Sequence, residues 1–449
     1  MNKTHSIDMI NGPLLKNIIL FAVPLMFTNF LQILFNAADT IVVGKFAGET
    51  ALAAVGATGS IVFLITSLFN GLATGSNVVI ARYIGLKKDD LTSKAVHTSI
   101  VMALGGGILL TVIGVVFAKT FLLAMSTPDD IVDLSNLYMQ IYFCGSLFLL
   151  VYDFGAAVLR SKGDTQRPLY YLFAGGILNV VLNLIFVIVF QMSVAGVAIA
   201  TVVSQAVSAG LVMMTLLREE DATRIDIHQL KLDNTIAWDI LKIGFPAGIQ
   251  GVVFSLSNVV IQSNINSFDS STIVAANSAA ANIENFTYIG TMAFTQATIT
   301  FTSQNIGAGK KEAVLKIMLV TLALTVSSSF LIGVLVYGFG DTFLGFYTNE
   351  AIVRGYGMIR LKYVVLWLFL NGILDVFVCS MRGMGISTLP TVLMIIGICG
   401  VRLVWLYFAF PYYHTLESIY ICFPISWLFT SVIQFVLWLW VYKKNIKMI

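Results

Sequence analysis

The amino-acid sequence predicts an all-α membrane protein with twelve transmembrane helices, in two parallel six-helix lobes related by a pseudo-two-fold axis along the membrane normal. Three observations predict this fold class: the composition is unusually apolar, the apolar stretches have the length of membrane spans, and the two halves of the chain repeat each other. Of the 449 residues, 58% are hydrophobic and 11% are charged, whereas about 25% of the residues of a soluble domain are charged. A soluble fold cannot bury so much apolar surface.

The apolar stretches are long enough to cross the roughly 30 Å of hydrocarbon in a bilayer. They run continuously, without the alternation of a half-buried strand, so we expect them to be helices. The predicted spans are residues 14–40, 52–81, 95–118, 134–159, 168–190, 194–217, 236–264, 272–303, 313–338, 356–381, 388–410 and 418–441. The residues before the first span are polar, so this span is expected to act as an uncleaved membrane anchor.

Positive charges are distributed unevenly between the two sets of loops. An even number of spans places both termini on one side, and the loops and span ends on that side hold twenty of the 26 Lys and Arg residues. The opposite loops hold only Lys45, Lys119 and Arg354. Because Lys and Arg are enriched in cytoplasmic loops, we expect a multi-pass protein of the cell membrane with both termini in the cytoplasm.

The second half of the sequence repeats the first at an offset of 222 residues, the separation between Pro24 and Pro246. Further matches without a gap pair Asp153, Arg160, Gly163 and Pro168 with Asp375, Arg382, Gly385 and Pro390. Each half has six spans, an even number, so both halves have the same orientation in the membrane. The predicted organisation is an N-lobe of residues 1–217, a cytoplasmic linker of residues 218–235 and a C-lobe of residues 236–449. Two parallel bundles are typical of transporters that expose a substrate alternately on either side.

Four short motifs resemble those of one transporter family. Residues 159–168, LRSKGDTQRP, resemble the LRxxGDTxxP signature of the multidrug and toxic compound extrusion (MATE) family, bacterial type. Residues 39–44 (DTIVVG), 53–56 (AAVG) and 304–309 (QNIGAG) resemble further motifs of the same family. The resemblance covers the whole chain.

This resemblance implies two six-helix lobes without an ATP-binding domain, and efflux of organic cations against inward Na⁺ or H⁺. The expected function is therefore secondary active antiport of organic cations and drugs, by alternating access between the lobes. The expected partners are small cationic or amphiphilic substrates and membrane lipid. No nucleic acid is expected, and no cofactor besides the coupling ion, H⁺ or Na⁺; a monomer is expected.

Four carboxylates lie well inside the predicted spans: Asp39, Asp153, Glu284 and Asp375. A charged side chain at the bilayer centre costs at least about 2.5 kcal/mol, so each should face the bundle interior, where it is neutral, paired with a base or bound to a cation. Asp39 in the first span is the candidate for coupling, because a buried carboxylate can take up a proton or hold Na⁺ among oxygen ligands. A structural role as a hydrogen-bond acceptor is the alternative.

Oxygen ligands for such a cation are available in the fifth and sixth spans. Asn179 and Asn183 are four residues apart and so share one helix face, and Thr201 follows in the next span. In MATE members with a described cation site, an acid stands at the position of Asn183. The resemblance thus implies a coupling site of Asp39, Asn179, Asn183 and Thr201, with one charge fewer than the family pattern and with Na⁺ or H⁺ at Asp39. Helix packing is the alternative role for the two asparagines.

The eighth span is unusually polar and is expected to line a substrate cavity with Asn282 and Glu284. Glu284 would attract a cationic substrate there; a buried polar network between helices is the alternative. Arg402 lies deep in a late span and is expected to form an ion pair with Asp375 or Glu284.

Asp153 and Asp375 each precede an arginine, Arg160 or Arg382, by seven residues. Seven residues are about two helical turns, or roughly 10 Å, so each pair could interact through water or a neighbouring helix. For these four residues and for Arg402, a structural or gating role is favoured over contact with substrate.

Two other function classes compete with export. An intramembrane enzyme is not expected, because the four His residues lie in loops or near span ends and the sequence has no HExxH or GxSxG motif. A flippase of lipid-linked substrates, from the same superfamily, would share the two-lobe plan. Its cavity should be lined with Lys and Arg to bind an anionic substrate, whereas this sequence offers acids and amides there, with Arg402 as the exception.

Overall fold

The computed structural model describes residues 6–125 and 127–447. Within these residues the backbone forms helices joined by short turns, and no strand is present. Lys3, which contributes to the predicted charge bias, lies outside the described residues.

The first six predicted spans are helical. They are α1 (Leu14–Ala47), α2 (Glu49–Gly85), α3 (Asp89–Ala124), α4 (Asp129–Cys144 and Ser146–Ser161), α5 (Gln166–Val189) and α6 (Ser193–Arg218). The two helices of α4 meet at Gly145 with a bend of 45°. Gly48, with φ of 92°, separates α1 from α2, because glycine adopts this left-handed conformation without a steric penalty.

The second six spans are also helical. They are α7 (Asn234–Asn266), α8 (Ser271–Thr287 and Ile289–Gly307), α9 (Lys311–Gly338), α10 (Ala351–Gly383), α11 (Thr388–Phe408) and α12 (Leu416–Lys444). In the described part of the chain, ten spans are single helices long and apolar enough to cross a membrane, and the bent α4 is an eleventh. The remaining span, α8, consists of two helices of 17 and 19 residues that meet at Tyr288. The predicted all-α membrane fold is confirmed.

Two compact units divide the chain inside α1 and α7. One unit contains Val23–Gly248, and the other contains Ile10–Ala22 and the described residues from Ile249 onward. The predicted linker, residues 218–235, belongs wholly to the first unit. The chain changes unit close to Pro24 in α1 and close to Pro246 in α7. These two prolines correspond to each other at the 222-residue offset. Since proline removes a backbone hydrogen bond inside a helix, both helices are weakened where they change unit.

The LRSKGDTQRP segment forms the turn between α4 and α5 in the first unit. Gly163 has φ of 95°, and a Cβ there would lie 2.6 Å from a backbone carbonyl oxygen of the amino-terminal segment, so glycine is required. Asp164 is fully buried and accepts hydrogen bonds from the backbone N–H and from Nε of Arg167. Arg167 and Lys162 both pair with Glu219 at the start of the linker, at 2.6 and 2.7 Å. The motif therefore ties the linker to the end of α4.

Candidate coupling site and a second polar cluster

The four residues predicted to form a cation site lie together in the first unit. Asn183 Nδ2 donates to Asp39 Oδ1 at 2.5 Å and to Asn179 Oδ1 at 3.3 Å. Asn179 Nδ2 in turn donates to Thr201 Oγ1 at 3.4 Å. Both asparagines are buried, and Asp39 is half-buried. The structure thus joins α1, α5 and α6 through one line of hydrogen bonds that ends on a carboxylate.

The side-chain oxygen of Asn183 is buried and has no hydrogen-bond partner among the described residues. A buried acceptor without a donor costs about 1–3 kcal/mol, so a donor or a cation is expected beside this oxygen. A protonated Asp39 would supply an O–H donor, and a cation would supply a positive charge. The other side chains in the line also present oxygens, which are the ligands that hard cations prefer.

Four π-helical turns occur in the described residues, and each adjoins a polar residue of interest. They are Val43–Ala47, Ile185–Val189, Leu361–Val365 and Ile396–Gly400. The first two follow Asp39 and Asn183 closely, and the others lie beside Arg360 and Arg402. Isolated π turns are rare and are frequent at functional sites. None of these turns lies 222 residues from another, so the π turns of one half have no counterpart in the other. They do not belong to the arrangement of helices that the two halves share.

Glu284 of α8 forms an ion pair with Arg360 of α10, with 2.7 Å between Oε2 and Nη2. Both side chains are largely buried, at 20% and 11% exposed. Arg360 Nη1 also donates to Asn277 Oδ1 at 2.5 Å, and the same oxygen accepts from the Tyr420 hydroxyl at 3.0 Å. The structure therefore places Glu284 in a buried polar network in which its charge is compensated.

Arg360 is the residue of this cluster that sequence reasoning missed. It is a base in a transmembrane helix, and an ionisable residue there is a candidate functional residue on that ground alone. The predicted span began at residue 356, which put Arg360 near a span end, where a long basic side chain can reach the interface. The helix begins at Ala351 instead, so Arg360 lies deeper than predicted.

Asn282 lies on a different face of α8 from Glu284. It lines an open cavity of about 480 Å³ together with Ser278, Glu350 and Val353. Glu284 does not line this cavity, because it is turned toward α10. The structure does not bring the two predicted substrate residues into one cavity.

Arg402 of α11 does not pair with a carboxylate among the described residues, so the expected ion pair with Asp375 or Glu284 is wrong. Its guanidinium carbon lies 4.1 Å from the centroid of the Phe423 ring, and its Nε donates to a serine hydroxyl of α12. The physical reason is competition: Glu284 is already paired with Arg360, and Asp375 has other partners.

Asp375 and Arg382 do not contact each other directly. The Tyr288 hydroxyl donates to Asp375, and Asn371 Nδ2 donates to the same carboxylate at 3.2 Å. Arg382 donates to side-chain oxygens of α7 and α11. Each group thus has neutral hydrogen-bond partners: Asp375 from α8 and from its own helix, and Arg382 from two neighbouring helices.

The equivalent residues of the first half, Asp153 and Arg160, also form no ion pair in the described part of the chain. Arg160 Nε is buried there without a hydrogen-bond partner. Two turns of straight helix separate the two side chains, which is too far for direct contact. A structural or gating role for these residues stays a prediction.

Comparison with known proteins identifies the family of the chain. The family model MatE matches residues 24–185 and 246–408, two segments that start at the same 222-residue offset as the internal repeat. The "Probable multidrug resistance protein YoeA" of Bacillus subtilis is 26% identical, over 96% of this chain and 94% of that protein. A "FAD transporter" of Shewanella oneidensis is 25% identical, over 64% of each chain. Members of this family are transporters, not enzymes.

A solved structure, a MATE in complex with MaL6, matches over 100% of both chains with a TM-score of 0.92 and 21% sequence identity. At this identity the likeness establishes the fold alone. It confirms the predicted class, a membrane protein of twelve helices in two lobes.

Proposed function

Since the chain belongs to the MatE family, we propose that it is a secondary active antiporter that exports organic cations and drugs across the cell membrane in exchange for H⁺ or Na⁺. The observation that carries the proposal is the line of hydrogen bonds from Asp39 through Asn183 and Asn179 to Thr201. This line of contacts joins one carboxylate to three side chains that carry oxygens, where three helices of the first unit meet. Because hard cations prefer oxygen ligands, this arrangement supports the proposal.

Asp39 is the coupling residue in this proposal, because uptake of one cation removes the only formal charge among the four residues. With H⁺ bound, the carboxyl O–H would donate to the unpartnered oxygen of Asn183. With Na⁺ bound, the same oxygen would be a ligand together with Asp39 and Thr201. Either ion satisfies the buried acceptor that is otherwise left without a partner.

A cation can shift an equilibrium between outward and inward states only by its differential affinity for the two. Helix α1 can supply this difference, because Pro24 and the π turn Val43–Ala47 lie on either side of Asp39. Both features allow α1 to bend and carry Asp39 away from Asn183. Binding of the ion from outside would then expel the substrate, and the protein would return inward with the ion bound and release it there.

Ethidium efflux from proteoliposomes, with Na⁺ and pH gradients imposed separately, tests this function. The wild-type protein should pump ethidium with one of the two gradients. Asp39→Asn should abolish gradient-driven efflux and leave folding and equilibrium ethidium binding intact. Asp133→Asn, which neutralises an exposed carboxylate of α4, is the matched control and should pump normally. Uphill efflux at a normal rate by the Asp39 variant would refute the proposal.

We also propose that both termini are cytoplasmic and that the protein acts as a monomer with lobes of residues 1–217 and 236–449. Labelling of single cysteines in a protein without Cys144, the exposed native cysteine, tests the orientation. His228→Cys in the linker should react only from the cytoplasmic side, and Lys45→Cys only from outside. The reverse pattern at either position would contradict the charge-based orientation.

A further inference from the structure

Arg402 is 6% exposed and lies among aromatic side chains of the second unit. Its Nε donates to Ser426 Oγ at 3.1 Å. The guanidinium carbon lies 4.1 Å from the ring centroid of Phe423 and 5.8 Å from that of Trp427. In the part of the chain that the structure describes, its two terminal nitrogens donate to no side chain, and no carboxylate forms an ion pair with it.

The charge of this region does not cancel. Arg360 lies over the same Phe423 ring, 5.9 Å from its centroid, but its charge is compensated by Glu284 at 2.7 Å. Arg402 therefore leaves the group of three with one net positive charge. An unpaired charge buried in a membrane protein is costly, and the contact with the Phe423 ring offsets only part of that cost.

The positive charge of Arg402 is not part of the structure that the two halves share. At the 222-residue offset, Arg402 corresponds to Val180 and Arg360 corresponds to Tyr138. The π turns beside the two arginines, Leu361–Val365 and Ile396–Gly400, are likewise confined to the second half. A π turn rotates the side chains that follow it relative to an α-helix. Arg402 follows Ile396–Gly400 by two residues, so this turn sets the direction of its guanidinium group.

We propose that Arg402 binds a carboxylate of an aromatic amphiphilic substrate in the second unit. A guanidinium holds a carboxylate through two parallel hydrogen bonds, and the two terminal nitrogens of Arg402 are those left for such a pair. A monoanion matches the single net charge, whereas a phosphate monoester carries about −1.5 to −2. The proposal rests on the proposed export function and extends the substrate class to molecules that carry a carboxylate on an aromatic body.

A pair of dyes that differ by one group tests the proposal: a rhodamine with a free carboxylate and its methyl ester. Equilibrium binding to the purified protein is measured by fluorescence polarisation, without any ion gradient. Arg402→Gln should weaken binding of the free acid by about tenfold or more, since a charge-assisted double hydrogen bond is lost, and leave the ester within about twofold. Arg354→Gln, at an arginine paired with Asp341 outside this cluster, is the control and should bind both dyes normally.

A second variant moves the affinity in the opposite direction. Glu284→Gln releases Arg360 from its ion pair and adds one positive charge to the group, so binding of the free acid should strengthen by about threefold or more relative to the ester. If the Arg402→Gln protein does not fold, the Glu284→Gln variant still tests whether the free acid binds beside this charge. Equal effects on both dyes, or no effect on the free acid, in the folded variants would overturn the proposal. This binding test uses no ion gradient, so its failure would not contradict the coupling role of Asp39. In the same way, a failure of the Asp39 experiment would not contradict binding of the carboxylate by Arg402.

Discussion

Asn183 sets the charge of the candidate coupling site. It stands where the family pattern has an acid, and its amide donates to the Asp39 carboxylate at 2.5 Å. Two carboxylates at that distance cannot both stay ionised unless a cation lies between them. With Asn183 in place, one bound cation makes the site neutral.

Asn183→Asp should therefore make the protein more dependent on Na⁺. The new acid adds a second negative charge and removes the amide donor that now satisfies Asp39, so a metal cation gains affinity for the site. The thermal midpoint Tm of the purified variant, measured at alkaline pH against Na⁺ concentration, should rise by several degrees more than that of the wild type, because a ligand of the folded state stabilises it. Asn282→Asp places the same substitution at an exposed position of α8 and should respond like the wild type. Equal responses of all three proteins would show that residue 183 is not a cation ligand.

Residue contacts could be predicted where they follow from spacing within one helix. Asn179 and Asn183 share a face because four residues are about one turn, and the structure joins them directly. The pair of Glu284 and Arg360 joins helices whose residues lie 76 positions apart, and no local pattern indicates which base meets which acid. The partner of Arg402 could not be predicted for the same reason.

At the level of elements, α2 and α7 meet through their backbones. A Cβ at Gly71 would lie 2.3 Å from the backbone nitrogen of Gly248, and one at Gly75 would lie 2.4 Å from the carbonyl oxygen of Ile240. Small residues allow such close approach of membrane helices. The contact holds the first part of α7 on the first unit, just before α7 passes into the second at Gly248.

Gly71→Ala should break this contact, because backbone atoms of α7 cannot move out of the way as a flexible side chain would. Overpacking of this kind costs about 1–3 kcal/mol, so both Tm and ethidium efflux should fall. Gly59→Ala is the matched control in the same helix, since a Cβ there meets nothing within 4 Å. If the two variants have equal Tm and equal efflux, the contact between α2 and α7 does not stabilise the protein.

The elements show which part of the fold could be predicted from sequence. Apolar length predicted the spans other than the polar α8, because the bilayer forces each apolar stretch to be a helix. The π turns could not be predicted, since an α turn and a π turn have the same hydrophobic pattern and the choice depends on packing between helices. The break of α8 at Tyr288 was missed for a related reason: Tyr288 donates to Asp375 on another helix, and this contact is not visible in the local sequence.

On the scale of the whole molecule, the two halves share a helix plan but carry different chemistry. At the 222-residue offset, the candidate coupling residues of the first half correspond to apolar residues of the second. Asp39, Asn183 and Thr201 correspond to Ile261, Trp405 and Phe423. Under the two proposals above, ion binding at Asp39 would fall to the first half and recognition of a substrate anion at Arg402 to the second.

This division predicts the electrical behaviour of transport. If Asp39 is the only group that takes up the coupling ion, one H⁺ or Na⁺ enters for each substrate that leaves, and exchange for a monovalent cation such as ethidium moves no net charge. A membrane potential set with K⁺ and valinomycin should then leave the ethidium efflux rate unchanged within about twofold, although about 100 mV is worth about 2.3 kcal/mol for each charge moved. The free-acid rhodamine, which has no net charge, is the internal control: its exchange carries one positive charge inward per cycle and should be accelerated by an interior-negative potential. Ethidium efflux that also accelerates would mean that a second acid takes up an ion in the cycle, and Asp375, held by Tyr288 and Asn371 in the second half, would be the residue to substitute next.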